Sequence, residues 1–211
     1  MKLRPLHLLL IAAIVVGATA GSITAAGSFG KASRSQPPSA VGLYSAFTHG
    51  RPAAVDAQLA DTMSASNADS AKLRVLASGL GRFNSRLLAF PSRGGSSVCY
   101  SLLGAQPTDP AASYCYQPTG PAMSKALAGE HFSPMALWAS LGGRPGVQLF
   151  GLAFDDVRSL RVNVAGNWRN VPLSGNGFYL DLPGVAQSDV GAVEATLANG
   201  STQSHDMRSA G

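Results

Sequence analysis

The chain has 211 residues, enough for one domain of good size or for two small ones. Hydrophobic residues make up 45% of it and can supply a core, whereas charged residues make up only 13%, about half the usual share. The formal net charge is +5, but the basic residues are spread singly along the chain. Because nucleic-acid binders usually gather basic residues and stacking aromatics on one face, this distribution argues against nucleic acid as a partner.

The N-terminus has the pattern of an export signal. Lys2 and Arg4 precede an apolar run, and the triplet that begins at Ala18 has the small-x-small form of a signal-peptide cleavage site. Residues 6–26 carry no formal charge and are long enough to span a bilayer as a helix if the segment stays uncut. Residues 1–26 are therefore predicted to be a signal peptide or a signal-anchor helix.

Both outcomes place the body of the chain outside the cytoplasm. If residues 6–26 are retained, they bind the membrane as a single-pass anchor, with the basic N-terminus in the cytoplasm; otherwise the protein is secreted. Residues 27–40, GSFGKASRSQPPSA, show no apolar periodicity and contain two adjacent prolines. They are predicted to be a flexible linker.

Residues 41–84 are predicted to form a short helical region. Pro52 can begin a first helix, with Val55, Leu59 and Met63 on one face. A second short helix is predicted within the same region, over Asn67 to Ala77, with its apolar side chains turned inward. Those inward side chains are Ala71, Val75 and Leu76.

The two cysteines of the chain, Cys99 and Cys115, are predicted to form a structural disulfide. Each lies in a short β-prone segment, and the residues between them are rich in turn formers. In an exported protein a lone pair of cysteines most simply forms one bond, which would stabilise the fold by about 3 kcal/mol. Free thiols are the main alternative; a zinc site or a redox pair fits the spacing less well.

From residue 85 onward the pattern changes to short strands. Apolar and polar residues alternate with the period of half-buried strands, and turn signals recur at intervals of roughly ten residues. The predicted strands contain the segments SRLLAFPS, VQLFGLAF, SLRVNVAG, WRNVPL, FYLDL and VGAVEATL. Turns are predicted at Gly166-Asn167, at Asn176-Gly177 and, in the type I′ form, at Asn199-Gly200. Between the cysteine pair and these strands, GPAMSKALAGEHF is predicted to form a short helix or a turn.

Together these patterns predict a mainly β fold with minor α structure. Residues 85–208 are expected to form a β-rich extracytoplasmic domain, built as an antiparallel β-sandwich or a small barrel. The N-terminal membrane or signal helix and one or two short helices would precede it.

The order of these elements resembles that of a known group of proteins. YSAFTHGRPAAVDA, the paired-cysteine region, GLAFDDVRSLRVNVAGNWRNVPLSGNGFYLDLP and VEATLANGS follow an N-terminal membrane segment. In this order the chain is similar to uncharacterised exported or membrane-anchored proteins of high-GC Gram-positive bacteria. No known activity comes with that resemblance, so it implies no catalytic residue.

The histidines offer the first place to look for catalysis. His49, His131 and His205 are isolated in the sequence, and a surface or capping role is favoured for each over a catalytic one. His131 leaves more room for a functional role because Glu130 precedes it. The sequence contains neither a G-x-S-x-G nucleophile elbow nor a phosphate-binding glycine loop. We therefore assign no catalytic, cofactor-binding or metal-binding residue and no cofactor.

Two further pairs have both a structural and a functional interpretation. Asp155-Asp156 is predicted to be a polar turn between strands, in which the side chains accept hydrogen bonds from nearby backbone N–H groups. Trp138 and Trp168 could stack on a ligand, although packing in the core or at a sheet edge is favoured for a lone tryptophan beside a strand.

The leading hypothesis is a non-enzymatic extracytoplasmic module, tethered to or released from the outer face of the membrane, with an envelope, binding or sensing role. Its partner would be a protein or an envelope component. The alternative is a cell-envelope hydrolase whose site residue spacing does not reveal. A third option is a secreted protein that binds a small ligand inside its barrel. A buried contact between histidine, aspartate and serine would favour the hydrolase.

Overall fold

A computed structural model describes residues 40–117 and 130–209, which belong to one compact unit. The predicted leader, 1–26, and nearly all of the predicted linker, 27–40, lie outside the described residues, as does most of GPAMSKALAGEHF. Among the residues that the structure describes, no helix is both long enough and apolar enough to cross a membrane.

The described chain is mainly β, with antiparallel sheets and few helices, and this confirms the predicted fold class at that level. In chain order the strands are β1 Arg51–Pro52, β2 Arg74–Leu80, β3 Ser85–Pro91, β4 Val98–Leu103, β5 Ala112–Tyr116, β6 Phe132–Leu141, β7 Arg144–Ala153, β8 Val157–Val164, β9 Asn167–Val171, β10 Leu173–Ser174, β11 Gly177–Pro183, β12 Val190–Leu197 and β13 Thr202–Asp206. The α-helices are α1 Ala46–His49 and α2 Ala57–Ala65, and single 3-10 turns cover Ala40–Leu43, Ser70–Lys72, Gly81–Phe83, Gln187–Asp189 and Met207–Ser209.

These strands form three sheets, a number that the predicted antiparallel sandwich or small barrel did not specify. Sheet I has the order β1-β2-β3-β4-β5, sheet II the order β10-β11-β7-β6, and sheet III the order β13-β12-β8-β9. One apolar cluster is shared by sheets II and III, and a second is shared by sheets I and II. Sheet II is therefore covered on both faces.

The central strand of sheet II shows why this arrangement suits the sequence. Val147 and Leu149 of β7 pack into the cluster shared with sheet III, while Phe150 and Leu152, on the other face, pack into the cluster shared with sheet I. An uninterrupted apolar run such as VQLFGLAF is what a strand needs when both of its faces are buried.

Sheet III keeps one face in solvent. Leu160, Val162 and Val164 of β8 point into the core, whereas Arg161 between them is exposed. The period-two alternation read from SLRVNVAG therefore describes a strand with one wet face, as predicted.

Helix α2 covers the outer face of sheet I, but it begins later than predicted. Leu59 and Met63 pack against the sheet, as expected. The helix begins after Asp56, whose side chain accepts a hydrogen bond from the backbone N–H of Leu59 and so caps the first turn. Pro52 instead pairs with β2 as part of the edge strand β1, where a residue without an N–H is tolerated, and Val55 stays 42% exposed.

The predicted second helix, Asn67 to Ala77, is wrong. Only a 3-10 turn forms there, capped by the side chain of Asp69, and β2 starts at Arg74. Val75 pairs with Leu88 of β3, so Val75 and Leu76 of the predicted helix face belong to a strand, while Ala71 lies in the 3-10 turn. Residues 41–84 thus hold α1 and α2 but also two strands of sheet I.

The cysteine pair is confirmed as a disulfide. Cys99 of β4 and Cys115 of β5 are direct partners in the antiparallel register, with their Cα atoms 4.0 Å apart. The connecting residues form the loop between these two strands, as the turn formers predicted. Cys99 is fully buried beneath α2, and the bond ties the edge strand β5 to its neighbour β4.

Two of the predicted turns lie one residue earlier than expected. Ala165-Gly166 joins β8 to β9, and Gly175-Asn176 joins β10 to β11. Both residues of the first turn have positive φ, 49° and 84°, as a two-residue hairpin loop requires. The side chain of Asn163 accepts a hydrogen bond from the N–H of Gly166 and stabilises that turn.

The loop between β12 and β13 contains Asn199-Gly200, as predicted, but it is not a type I′ turn. Only Gly200 of this pair has a positive φ, 83°, whereas type I′ needs positive values at both central residues. The Asn199 side chain instead accepts hydrogen bonds from the backbone N–H and the hydroxyl of Ser201. The hairpin is therefore longer than the two-residue form.

Candidate functional site

Two of the three isolated histidines form hydrogen-bonded pairs with carboxylates at one edge of the core. His131 Nδ1 lies 2.6 Å from Asp156 Oδ2, and His205 Nδ1 lies 3.1 Å from Glu130 Oε2. The backbone N–H of His131 also donates to the side-chain oxygen of Gln203. We call these five residues the histidine cluster.

The strand pattern explains how the histidine cluster forms. Gln203 and His205 alternate along β13 and stand opposite Ala195 and Val193 of β12, two residues buried in the core. They therefore lie on the inner face of sheet III, at its edge. Residues 130–131, just before β6, and the turn between β7 and β8 supply the remaining groups.

The two pairs differ in their access to solvent. The side chain of His205 is 14% exposed, whereas that of His131 is 31% exposed, and Asp156 is open as well. In both pairs the carboxylate takes Nδ1, which leaves Nε2 of each imidazole for another partner. Within residues 40–117 and 130–209, no hydroxyl hydrogen-bonds to either imidazole, and no group of histidine, cysteine and carboxylate residues is arranged to hold a metal.

His49 belongs to a separate network around Asp155. Asp155 Oδ1 accepts hydrogen bonds from the backbone N–H of Ser45, at 2.9 Å, and from the amide of Asn176, at 2.8 Å. Asn176 is buried, and it also binds the backbone of Ala46 and of β7. Burial would raise the pKa of Asp155, but these hydrogen bonds and the nearby charge of His49 outweigh it, so the pKa lies below its ordinary value.

Asp155 and Asp156 therefore bind different partners. The prediction of a polar turn whose side chains bind backbone N–H groups is confirmed for Asp155. Asp156 instead pairs with His131. Spacing could not reveal either role, because the partners are 25 and 110 residues away in the chain.

The two tryptophans lie on edge strands of the described sheets and are not core residues. Trp138 of β6 is 46% exposed and Trp168 of β9 is 44% exposed. The guanidinium of Arg161 lies 4.5 Å from the ring centroid of Trp168. Arg161 is held in turn by Glu194, with a nitrogen-to-oxygen distance of 2.6 Å.

A trough of about 310 Å³ lies beside Trp168 on the outer face of sheet III. Asn163, Gly191 and Ala192 line it together with Trp168, and Arg208 borders it from the 3-10 turn after β13. The pairing of β12 with β8 is irregular between Val190 and Val193, at the level of the trough. In the sequence this surface shows only as polar positions in β8, β9 and β12. Such positions predict a solvent-exposed face and do not by themselves predict a binding site.

No family model, curated protein or solved structure matches this chain. The candidate functional residues therefore rest on the geometry of the structure alone. They fall into three groups: the histidine cluster, the Asp155 network and the trough beside Trp168.

Proposed function

We propose that this chain is an extracytoplasmic β-rich module that acts by binding at the cell envelope, tethered to or released from the outer face of the membrane. The disulfide between Cys99 and Cys115 is the observation that carries the proposal. Thiols of cytoplasmic proteins are kept reduced, whereas disulfides persist in exported ones. A bond with one sulfur in the fully buried core of sheet I belongs to the stable fold.

The proposal includes the leader and the layered architecture. Residues 1–26 would act as the signal peptide or signal anchor, and residues 27–40 as the tether. The three sheets and α2 would form an extended β-sandwich, and the apolar clusters between successive sheets support that arrangement.

The use of the polar groups favours binding over catalysis. The histidine–carboxylate hydrogen bonds of the histidine cluster fasten the residues before β6 to β13 and to the turn between β7 and β8. The Asp155 network joins α1 to sheet II in the same way. By contrast, the outer face of sheet III presents an exposed indole, amides and a guanidinium around a trough, which are groups that suit a ligand.

A second candidate, the cell-envelope hydrolase, is favoured by one observation. The bond between His131 Nδ1 and Asp156 orients the imidazole as in a catalytic dyad, with Nε2 left to act as a base. Purified exported protein tests this idea on cell-wall material and on ester substrates. A hydrolase predicts turnover that His131→Ala abolishes and His205→Ala spares; a binding module predicts no turnover in any of the three proteins.

Fractionation of cells with N-terminal sequencing of the recovered protein tests the proposed function. We expect the chain outside the cytoplasm, either starting near Gly21 in the soluble external fraction or intact in the membrane fraction. Recovery of the intact chain dissolved in the cytoplasm would refute the proposal.

A further inference from the structure

We propose that the outer face of sheet III is a binding site for a neutral saccharide chain, with one sugar ring stacked on Trp168 and its hydroxyl groups bound in the adjoining trough. This inference rests on the proposed binding function and names the ligand class. It assigns roles to Trp168, Asn163, Asp189 and Arg208, with Arg161 as a positioning residue.

The indole of Trp168 is a fixed platform. Arg161 stands over the ring at 4.5 Å, and Glu194, its direct partner across β8 and β12, holds the guanidinium in place. A cation over an exposed indole contributes about 0.5–1 kcal/mol, enough to favour one orientation of the ring. The area that remains exposed, 44% of the residue, is then presented to solvent in a defined position.

The trough beside the platform is made by small residues. Gly191 and Ala192 fill little of the space between the edge strand β9 and the turn that holds Arg208. Gly191 has ordinary backbone geometry and leaves room for a Cβ, with its nearest neighbour, a backbone oxygen of Asn163, 3.5 Å away. Backbone crowding therefore does not require a glycine at position 191, and a Cβ would fit there.

The polar groups around the trough suit hydroxyl groups. Asn163 uses its side-chain oxygen to bind the N–H of Gly166, and that bond does not engage its amide NH₂. Asp189 supplies acceptors, and Arg208, whose Nε and Nη2 bind Asp206, supplies the remaining donors of its guanidinium. A sugar carries adjacent hydroxyls that both donate and accept, so it can use all three groups at once.

The charges argue for a neutral ligand over a charged one. Arg161 is paired with Glu194, and Arg208 is paired with Asp206 at 3.1 Å. Opposite charges thus alternate across the face, and Asp189 adds one carboxylate to the trough. A polyanion would meet three carboxylates, and a polycation would meet two guanidinium groups.

The ligand is more extended than a single sugar. A second groove, of about 480 Å³, shares Ser188 and Arg208 with the trough and continues toward Ala136 of β6 and Met207. A chain of several sugar rings could occupy both depressions, whereas a monosaccharide would fill only one.

Titration of the full exported protein tests the inference. The probes are hexasaccharides of β-1,4-linked N-acetylglucosamine, of β-1,4-linked glucose and of α-1,4-linked glucose. In a Trp138→Phe variant only Trp168 contributes tryptophan emission, and we expect a saturable shift of that emission with at least one probe. Calorimetry on the unaltered chain should give a matching dissociation constant.

Matched variants show whether the binding uses this face. Trp168→Ala should weaken binding about tenfold or more, the loss of one stacked ring, whereas Trp138→Ala, which removes an equally exposed tryptophan from another edge strand, should leave it unchanged. Ala192→Tyr should block the trough without altering the thermal midpoint of unfolding.

Three results would overturn the inference: no saturable response to any hexasaccharide up to about 1 mM, equal losses in Trp168→Ala and Trp138→Ala, or displacement of the sugar by polyglutamate. None of these bears on the compartment of the protein, so the proposed extracytoplasmic binding function would stand or fall separately, by fractionation.

Discussion

Sheet I and sheet III are both antiparallel, but they differ in how many of their faces are buried. In β3 and β4 nearly every residue is buried, because α2 covers one face of sheet I and sheet II the other. In β8 and β12 burial alternates, and the outer face stays polar and open. The comparison teaches that sheet I is buried on both faces, while sheet III has a surface free to bind.

Replacement of a core aromatic in sheet I should have the largest effect on stability. Phe90 of β3 is fully buried beneath α2, so Phe90→Ala should lower the free energy of unfolding by about 3–5 kcal/mol. Trp168→Ala is the matched change in sheet III and should cost less than about 1 kcal/mol, because the ring is exposed. Denaturant unfolding of both variants measures the difference. Equal losses of the free energy of unfolding would contradict the contrast between the two sheets.

Removal of the disulfide should have the next largest effect. The bond closes a loop with a sequence separation of 16, and its loss should lower the free energy of unfolding by about 3 kcal/mol. The double variant Cys99→Ala and Cys115→Ala measures this in denaturant, and reduced wild-type protein serves as its control. An unchanged midpoint in both samples would show that sheet I does not depend on the bond.

Loss of the Asn176 side chain should have an intermediate effect. This buried amide binds α1, β7 and Asp155, so Asn176→Ala leaves buried backbone groups unpaired and should cost about 1–3 kcal/mol. Asn170→Ala, at an exposed asparagine of β9, is the control and should change thermal stability little. The prediction fails if the two variants melt at the same temperature.

The smallest predicted effect is on the stability of the protein at acid pH. The pKa of Asp155 is lower in the folded protein than its ordinary value of 3.8, so the folded state binds this proton less readily than the unfolded state. The stabilisation is present above that ordinary value and is lost as the pH falls through the folded pKa. Asp155→Asn should therefore flatten the acid limb of the stability curve; a limb of unchanged slope would contradict this assignment.

Local pattern predicted most of the strands and the disulfide, since both leave signals within a few residues. Alternation in β8 and β12 follows from one buried face, and Cys99 and Cys115 are close in sequence and flank a turn. The strand β2 was mistaken for a helix because serine and glycine interrupt its pattern and its burial comes from sheet II, which is distant in the chain.

The candidate sites depended on tertiary contacts and could not be read from spacing. Asp156 meets His131, and Glu130 meets His205, only because the turn between β7 and β8 and the edge strand β13 converge on the residues before β6. The exposure of Trp168 follows from its place on an edge strand with one face in solvent, whereas its position beside a strand favoured packing in the core or at a sheet edge without deciding between them. The resemblance to exported proteins of high-GC Gram-positive bacteria stays a prediction.

Thiol alkylation followed by mass spectrometry of the protein recovered from each cell fraction tests the central claim most directly. The account predicts that the chain works outside the cytoplasm with the disulfide between Cys99 and Cys115 formed. Protein from the external or membrane fraction that is unfolded but not reduced should then take up no label, and two labels should appear after reduction. Two labels on unreduced protein recovered from the cytoplasm would contradict the account.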